Sequence, residues 1–387
     1  MPDAEEQDVR QARRILARRR GCTDTLLGGR QAFTWFPTVD RMFLRAMQEA
    51  FARHFLLCPL YREHCRQRSF VPADLKRVED LARIPYLFVT ILKRYRLLTG
   101  PEEKVRLTLT SSGTGGEKSA TFLDGKSLVR VKKLVRHVYR DLGMVNRRRT
   151  NYLCFTYDPA VASDLGTAFS DQLLTGLTRV QSTFYAIRWR GEEWQLDRDG
   201  CLEALERFEA SRRPLRILGF PAHAWEVLEE CTWRRGRNFS FGPHSYVLTG
   251  GGWKSLQDRE IPKPMFRDRV SEWLGIPREN VRDLYGMVEH GVPYTECEAG
   301  QMHVPRYSRV FVRHPGTLEL LSSGQVGLYH FLTPYLNSYP AISLLTTDLG
   351  SVQPGCACGR SAPVLRLQGR GGVTKHKGCA INALEVL

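Results

Sequence analysis

No stretch of this chain approaches the roughly 18 consecutive apolar residues that cross a bilayer, so no membrane span is expected. Its opening residues, MPDAEEQDVRQARR, contain no apolar core, and no secretory leader is expected of them. The ten cysteines lack the dense spacing of a disulfide scaffold, which points to thiols or metal ligands in a reducing cytoplasm. No internal repeat or low-complexity tract is evident, which excludes solenoids and extended disorder. Acidic residues are scarce: 41 Asp and Glu stand against 57 Lys and Arg, a net charge of +16. The surplus falls in short clusters at 13–20, 145–150 and 232–237 with acids between them. No zinc-finger, helix-turn-helix or RNA-binding signature accompanies it, so it reads as a soluble basic surface and nucleic acid is not the expected partner.

What is present suits a soluble globular protein. The 387 residues suggest two or three domains or subdomains, with ordinary shares of hydrophobic (42%) and charged (25%) residues. The first hundred residues read as helical. Phe43, Met47, Phe51 and Phe55 recur every fourth position, which predicts one apolar helix face. VRLTLT (105–110) alternates apolar and polar residues, as a strand does. Leu128, Val131, Val135, Val138 and Leu142 return to helical spacing, so the residues between are expected to link a strand to a helix. Short apolar runs follow at 151–159, 215–221, 245–253, 281–289 and 342–350, each ending in turn chemistry. Interleaved strands and helices predict an α/β architecture, with ligands gathered beyond the carboxyl ends of the strands.

The link itself, SSGTGGEKS (111–119), is rich in glycine and hydroxyls and carries one lysine. Glycines let backbone N–H groups approach an anion and hydroxyls add donors, so a phosphate is the expected ligand. It is not a Walker loop, because Glu117 separates Gly116 from Lys118. It is not a dinucleotide fingerprint either, because Lys118 stands where the last glycine belongs.

The stretch resembles the phosphate loop of the adenylate-forming superfamily, the acyl-CoA synthetases and adenylation domains, with Gly115 replacing a usual Ser or Thr. Four further segments resemble that family in order. GGGW (250–253) is similar to its adenine-contacting loop and YGMVEHG (285–291) to its Y-G-x-T-E motif, with Val288 in place of Thr. TTDLG (346–350) is similar to the segment whose aspartate accepts the ribose hydroxyls, and LRLQGRGG (365–372) to the hinge before the small domain. The resemblance implies that Thr110, Ser111, Ser112, Gly113, Thr114, Gly115, Gly116 and Lys118 hold phosphate. It implies that Gly251, Gly252, Tyr285 and Gly286 border the nucleotide, that Asp348 and Arg370 contact ribose, and that Glu289 binds Mg²⁺. His223 and Trp225 in GFPAHAW, together with Trp253, are expected to border the acid pocket. ATP, Mg²⁺ and a carboxylic acid are the implied reactants, because a carboxylate must gain a better leaving group before it can acylate anything.

The divisions expected on this resemblance are a mainly helical region at 1–100, an ATP- and acyl-binding core at 101–369, and a tail at 370–387 in place of the family's C-terminal domain. The truncated C-terminal domain and a cysteine near the end, Cys379 in TKHKGCAI, resemble the acyl-protein synthetases of bacterial bioluminescence. Those enzymes activate long-chain fatty acids, load their own cysteine and pass the acyl group to a reductase. Lys375, His376 and Lys377 would lower the Cys379 pKa. Two other readings stay open: transfer to CoA or a carrier-protein thiol, and a basic binding protein that keeps the fold without the catalysis. Separately, Cys297, His303, Cys356 and Cys358 form a candidate structural Zn²⁺ set, tighter in its Cys-x-Cys than the usual spacing. Most of the six cysteines from Cys22 to Cys231 are expected to be core thiols.

Overall fold

The computed structural model describes residues 2–110, 119–157, 166–191, 193–253 and 258–370. The chain divides into two compact units. The first is drawn from Met1–Asp141, Met287–Val292 and His303–Leu387, the second from Leu142–Gly286 and Pro293–Met302.

The second unit is a seven-stranded sheet wrapped by helices. Five neighbouring strands run parallel, in the order Val281–Tyr285, Tyr246–Gly250, Leu215–Gly219, Arg149–Tyr157 and Arg179–Arg190. Antiparallel strands close the edges, Tyr294–Thr295 on one side and Glu193–Leu196 on the other. Central parallel strands are buried on both faces and so read as continuous apolar runs. Accordingly Leu153, Phe155, Ile217 and Val247 are all buried, packed against Leu205, Val227 and Val270 of the surrounding helices. The expected strands at 151–159, 215–221, 245–253 and 281–289 all form.

The first unit opens with helices Pro2–Arg19, Cys22–Gly28, Pro37–Leu57 and Pro59–Gln67. Phe43, Met47, Phe51 and Phe55 line the buried face of the third, as their spacing predicts. A mixed sheet follows, ordered from a short strand at His303 through Val364–Arg370, Ser343–Gln353 and Gly327–Leu332 to Arg309–Arg313. The parallel strand Leu87–Phe88 also pairs with Ser343–Gln353.

One expectation is corrected here. The strand Val105–Thr110 does not lead through its loop into a helix. It pairs antiparallel with Ala120–Asp124, and only then does the helix Gly125–Asp141 begin. Thr121, Phe122 and Leu123 are buried in succession, so this strand has no polar face to reveal a two-residue period. In the chain, residues 111–118 therefore stand between two paired strands and not between a strand and a helix.

Part of the arginine surplus lies inside: Arg130, Arg216, Arg282, Arg306, Arg309 and Arg313 are buried. Arg309 shows how such a charge is accommodated. Its guanidinium lies 3.9 Å from the Trp35 ring centroid and 4.2 Å from that of Phe43, and it donates to Asp40 at 2.6 Å.

Buried titratable groups set the acid response of the fold. Burial pushes His54 and His290 down to about 3 and His330 well below its usual value. His330 is neutral by its bonding as well, since its Nδ1 accepts from Arg313 Nε at 3.1 Å. In the second unit burial pushes Asp171 up to about 7, with only partial relief from the Thr156 hydroxyl that donates to it. The histidines take up protons on unfolding below about pH 6.5, so the stability they hold is lost as pH falls. Asp171 acts in the opposite sense: it is protonated when folded and ionised when unfolded between about pH 4 and 7, so its contribution grows as pH falls. Asp171→Asn should therefore steepen the loss of stability between pH 6 and pH 5 by about 1.4 kcal/mol per pH unit. Urea unfolding at a series of pH values measures the slope; an unchanged slope would mean that Asp171 is ionised in the folded protein.

Candidate active site

In the second unit, three loops leave the sheet at the same edge. Cα register pairs Gly219 with Thr249 and Gly250 with Leu284, so the carboxyl ends of three adjacent parallel strands lie level. Ligands of open α/β sheets collect at this edge. The backbone there demands glycine. A Cβ on Gly219, at φ +128°, would stand 2.5 Å from the Phe155 carbonyl oxygen. Gly251 and Gly252 follow their strand with φ of 79° and 66°, left-handed values that side chains resist. Tyr285 ends its strand half-buried, its ring 6.0 Å from that of Tyr294, and Gly286 after it is exposed. His223 lies on the first turn of the helix Pro221–Arg235 beside Phe220. Trp225 and Trp253 both pack on Phe266, at 6.0 and 6.4 Å, with Trp225 also 4.8 Å from Trp273.

An ion cluster braces the Tyr285 strand. Lys263 Nζ lies 2.5 Å from Asp283 and 3.5 Å from Glu296, and Arg267 donates to Glu296. The Asp283 carboxyl is nonetheless raised, because its burial outweighs the attraction of Lys263.

The first unit carries the acidic part of the predicted site. Glu289 is 5% exposed, and the Ser119 hydroxyl, itself fully buried, donates to its Oε1. Ser119 directly follows Lys118, so one end of the hydroxyl-rich stretch is tied to this carboxylate. Tyr339 is buried nearby, its phenol pushed well up by burial and by the charge of Glu289. Neither Ser119 nor Tyr339 was singled out by the sequence; a serine inside a serine-rich loop carries no separate signal. Among the described residues no Lys, Arg or His forms an ion pair with Glu289. A buried carboxylate in that condition fits a hard divalent cation such as Mg²⁺.

Asp348 lies half-buried on the strand Ser343–Gln353, its N–H donating to Thr346 Oγ1 at 3.2 Å. Arg370 is its Cα partner across the antiparallel register, so the two expected ribose positions face each other. Thr110 ends the strand Val105–Thr110, in register with Ala120. Ser111, Ser112, Gly113, Thr114, Gly115, Gly116, Lys118 and Cys379 lie outside the described residues.

Of the candidate zinc ligands, His303, Cys356 and Cys358 belong to the first unit, and their ligand atoms lie within 4.8 Å of one another. His303 Nε2 is 3.2 Å from Cys358 Sγ. Burial raises the Cys358 thiol, but hydrogen bonds from Arg360 and Cys356 and the neighbouring His303 bring it below its usual value. Cys297 is buried in the second unit, its N–H donating to Gln301 O at 2.9 Å. Cys58, Cys65, Cys154, Cys201 and Cys231 are buried core thiols as expected, while Cys22 is only half-buried.

A family model described as acyl-protein synthetase, LuxE, matches residues 23–387. The chain belongs to this LuxE acyl-protein synthetase family. It is 24% identical over 362 residues to the long-chain-fatty-acid–luciferin-component ligase of Aliivibrio fischeri, covering 89% of this chain and 88% of that one. The protein of the same name from Vibrio harveyi is 26% identical over 343 residues, with 87% and 86% covered. Phenylacetate-coenzyme A ligase of Thermus thermophilus is 25% identical over 337 residues, with 84% and 69% covered. Among solved structures, 2-hydroxyisobutyryl-CoA ligase in its postadenylation state superimposes with a TM-score of 0.71 at 17% identity, over 88% of this chain and 69% of that one. Its open conformation gives a TM-score of 0.66 at 18% identity, over 88% and 78%. The expected α/β fold of an adenylate-forming enzyme is thereby met, and this LuxE-family chain is an AMP-forming ligase. Among the described residues no helix is long and apolar enough to cross a membrane.

In this LuxE-family chain, a desolvated carboxylate that no described cation pairs with should cost stability while no ligand is bound. Glu289→Gln keeps an acceptor for Ser119 and removes the buried charge. Thermal unfolding without nucleotide should therefore show Glu289→Gln equal to the wild type or more stable by about 1 kcal/mol. A loss of more than about 2 kcal/mol would mean that a cation of the fold already pairs with Glu289.

Proposed function

We propose that this ligase activates a long-chain fatty acid with ATP and then carries the acyl group on its own Cys379. The observation that supports this most directly is Glu289: a buried carboxylate tied through Ser119 to the end of a glycine- and hydroxyl-rich loop. In the first step the fatty acid's carboxylate oxygen attacks the α-phosphorus of ATP. The bond from that phosphorus to the bridging oxygen breaks, leaving acyl-adenylate and pyrophosphate. The loop 111–118 holds the β- and γ-phosphates with its N–H groups and hydroxyls, and Lys118 places a point charge on the departing pyrophosphate. Glu289 would hold Mg²⁺, which when bound offsets the charge of those phosphates. Asp348 accepts from the ribose hydroxyls, with Arg370 opposite it in the sheet register. Gly251, Gly252, Tyr285 and Gly286, at the carboxyl ends of the parallel strands, border adenine. His223, Trp225 and Trp253 shape the acid's end of the site.

In the second step the Cys379 thiolate attacks the acyl carbonyl. The carbon–oxygen bond to phosphate breaks and AMP leaves. Lys375, His376 and Lys377 favour the thiolate by their charge. The thioester then passes to an acyl reductase partner. These steps suit the cytoplasm, where thiols stay reduced. The Cys/His group takes no part in them, and any zinc there is structural.

A second reading is transfer to CoA or a carrier thiol, favoured by the similarity to phenylacetate-coenzyme A ligase. Intact-mass measurement after incubation with ATP, Mg²⁺ and a panel of fatty acids separates the two. The wild type should gain one hydroxylamine-labile acyl group, and Cys379→Ser should gain none while still releasing pyrophosphate. Full labelling of Cys379→Ser would assign the nucleophile to another cysteine. An unlabelled wild type that makes acyl-CoA would establish the second reading.

A further inference from the structure

We propose that His303, Cys356 and Cys358, all in the first unit, bind a zinc ion that takes no part in adenylation. A zinc ion with thiolates at about 2.3 Å and a histidine nitrogen at about 2.0 Å sets tetrahedral ligand atoms roughly 3.5–3.8 Å apart. His303 Nε2 and Cys358 Sγ, 3.2 Å apart, stand near that separation, and Cys356 Sγ lies within 4.8 Å of both.

The surroundings suit a metal ligand. His303 is fully buried, and its Nδ1 meets the Ala362 carbonyl oxygen at 3.0 Å. That carbonyl can only accept, so Nδ1 carries the proton and Nε2 keeps its lone pair toward the sulfurs, which is how ligating histidines are oriented. The two cysteines sit on a turn closed by the Gly359 N–H to the Cys356 carbonyl at 3.2 Å. Softness of two sulfurs and one imidazole selects zinc over magnesium or calcium.

Binding would release the thiol protons, so occupancy should fall in acid.

The test is elemental analysis of the full chain, produced in zinc-replete medium and desalted without chelator. About one zinc per chain is expected, falling below about 0.1 in Cys358→Ser and Cys356→Ser and staying near one in Cys22→Ser. Should the cluster variants fail to fold, the wild type still decides: stripped and reloaded with cobalt(II), it should show thiolate-to-cobalt charge transfer and tetrahedral d–d bands. A wild type with less than about 0.1 zinc and no cobalt charge transfer would overturn the site, as would full zinc retention in Cys356→Ser and Cys358→Ser.

Discussion

A carboxylate removed from water must find compensation, and Glu289 finds only part of it within the described protein. Its neighbours there are the Ser119 hydroxyl and the Tyr339 phenol, neither of them charged. Holding such a group costs stability that ordinary packing would not waste, and binding sites are where proteins tolerate that cost. Ser119 follows a glycine- and hydroxyl-rich stretch whose flanking strands end at Thr110 and begin at Ala120, and its bond to Glu289 ties one end of that stretch. Glu289 also begins two residues after the point where the chain passes from the second unit to the first.

The second unit contributes by regularity rather than by charge. Parallel strands paired in level register bring Gly219, Gly250 and Tyr285 to one edge, and glycines there let the backbone turn away at once. The cluster of Lys263, Asp283, Arg267 and Glu296 holds the outermost of these strands. Positive charge throughout the chain is partly structural. An arginine clasped by Trp35, Phe43 and Asp40 contributes to packing and not to any surface field.

Much of this was legible in the sequence. Parallel strands announce themselves as apolar runs ending in glycine, and 215–221 and 245–253 are such runs. Helical spacing at Phe43 to Phe55 was equally plain, because one face is wholly buried and the other is not. The strand Ala120–Asp124 was not legible. It has five residues, is buried without alternation, and stands between a loop and a strongly periodic helix. Of the site, Glu289 and Asp348 were reached through YGMVEHG and TTDLG, segments that resemble motifs of the adenylate-forming superfamily. Ser119 and Tyr339 could not, since their importance lies in partners more than 40 residues away in the chain. The Cys/His group was visible because soft ligands recur at short spacing, whereas the Ala362 carbonyl that orients His303 depends on the fold.

The central claim is that this chain joins a fatty acid to AMP. Rapid quenching of a single turnover with ATP labelled at the α-phosphate, Mg²⁺ and a long-chain fatty acid tests it directly. The label should appear in acyl-adenylate and then in AMP, only when the acid is present, with no labelled ADP. Labelled ADP, or label transfer independent of the acid, would contradict the account.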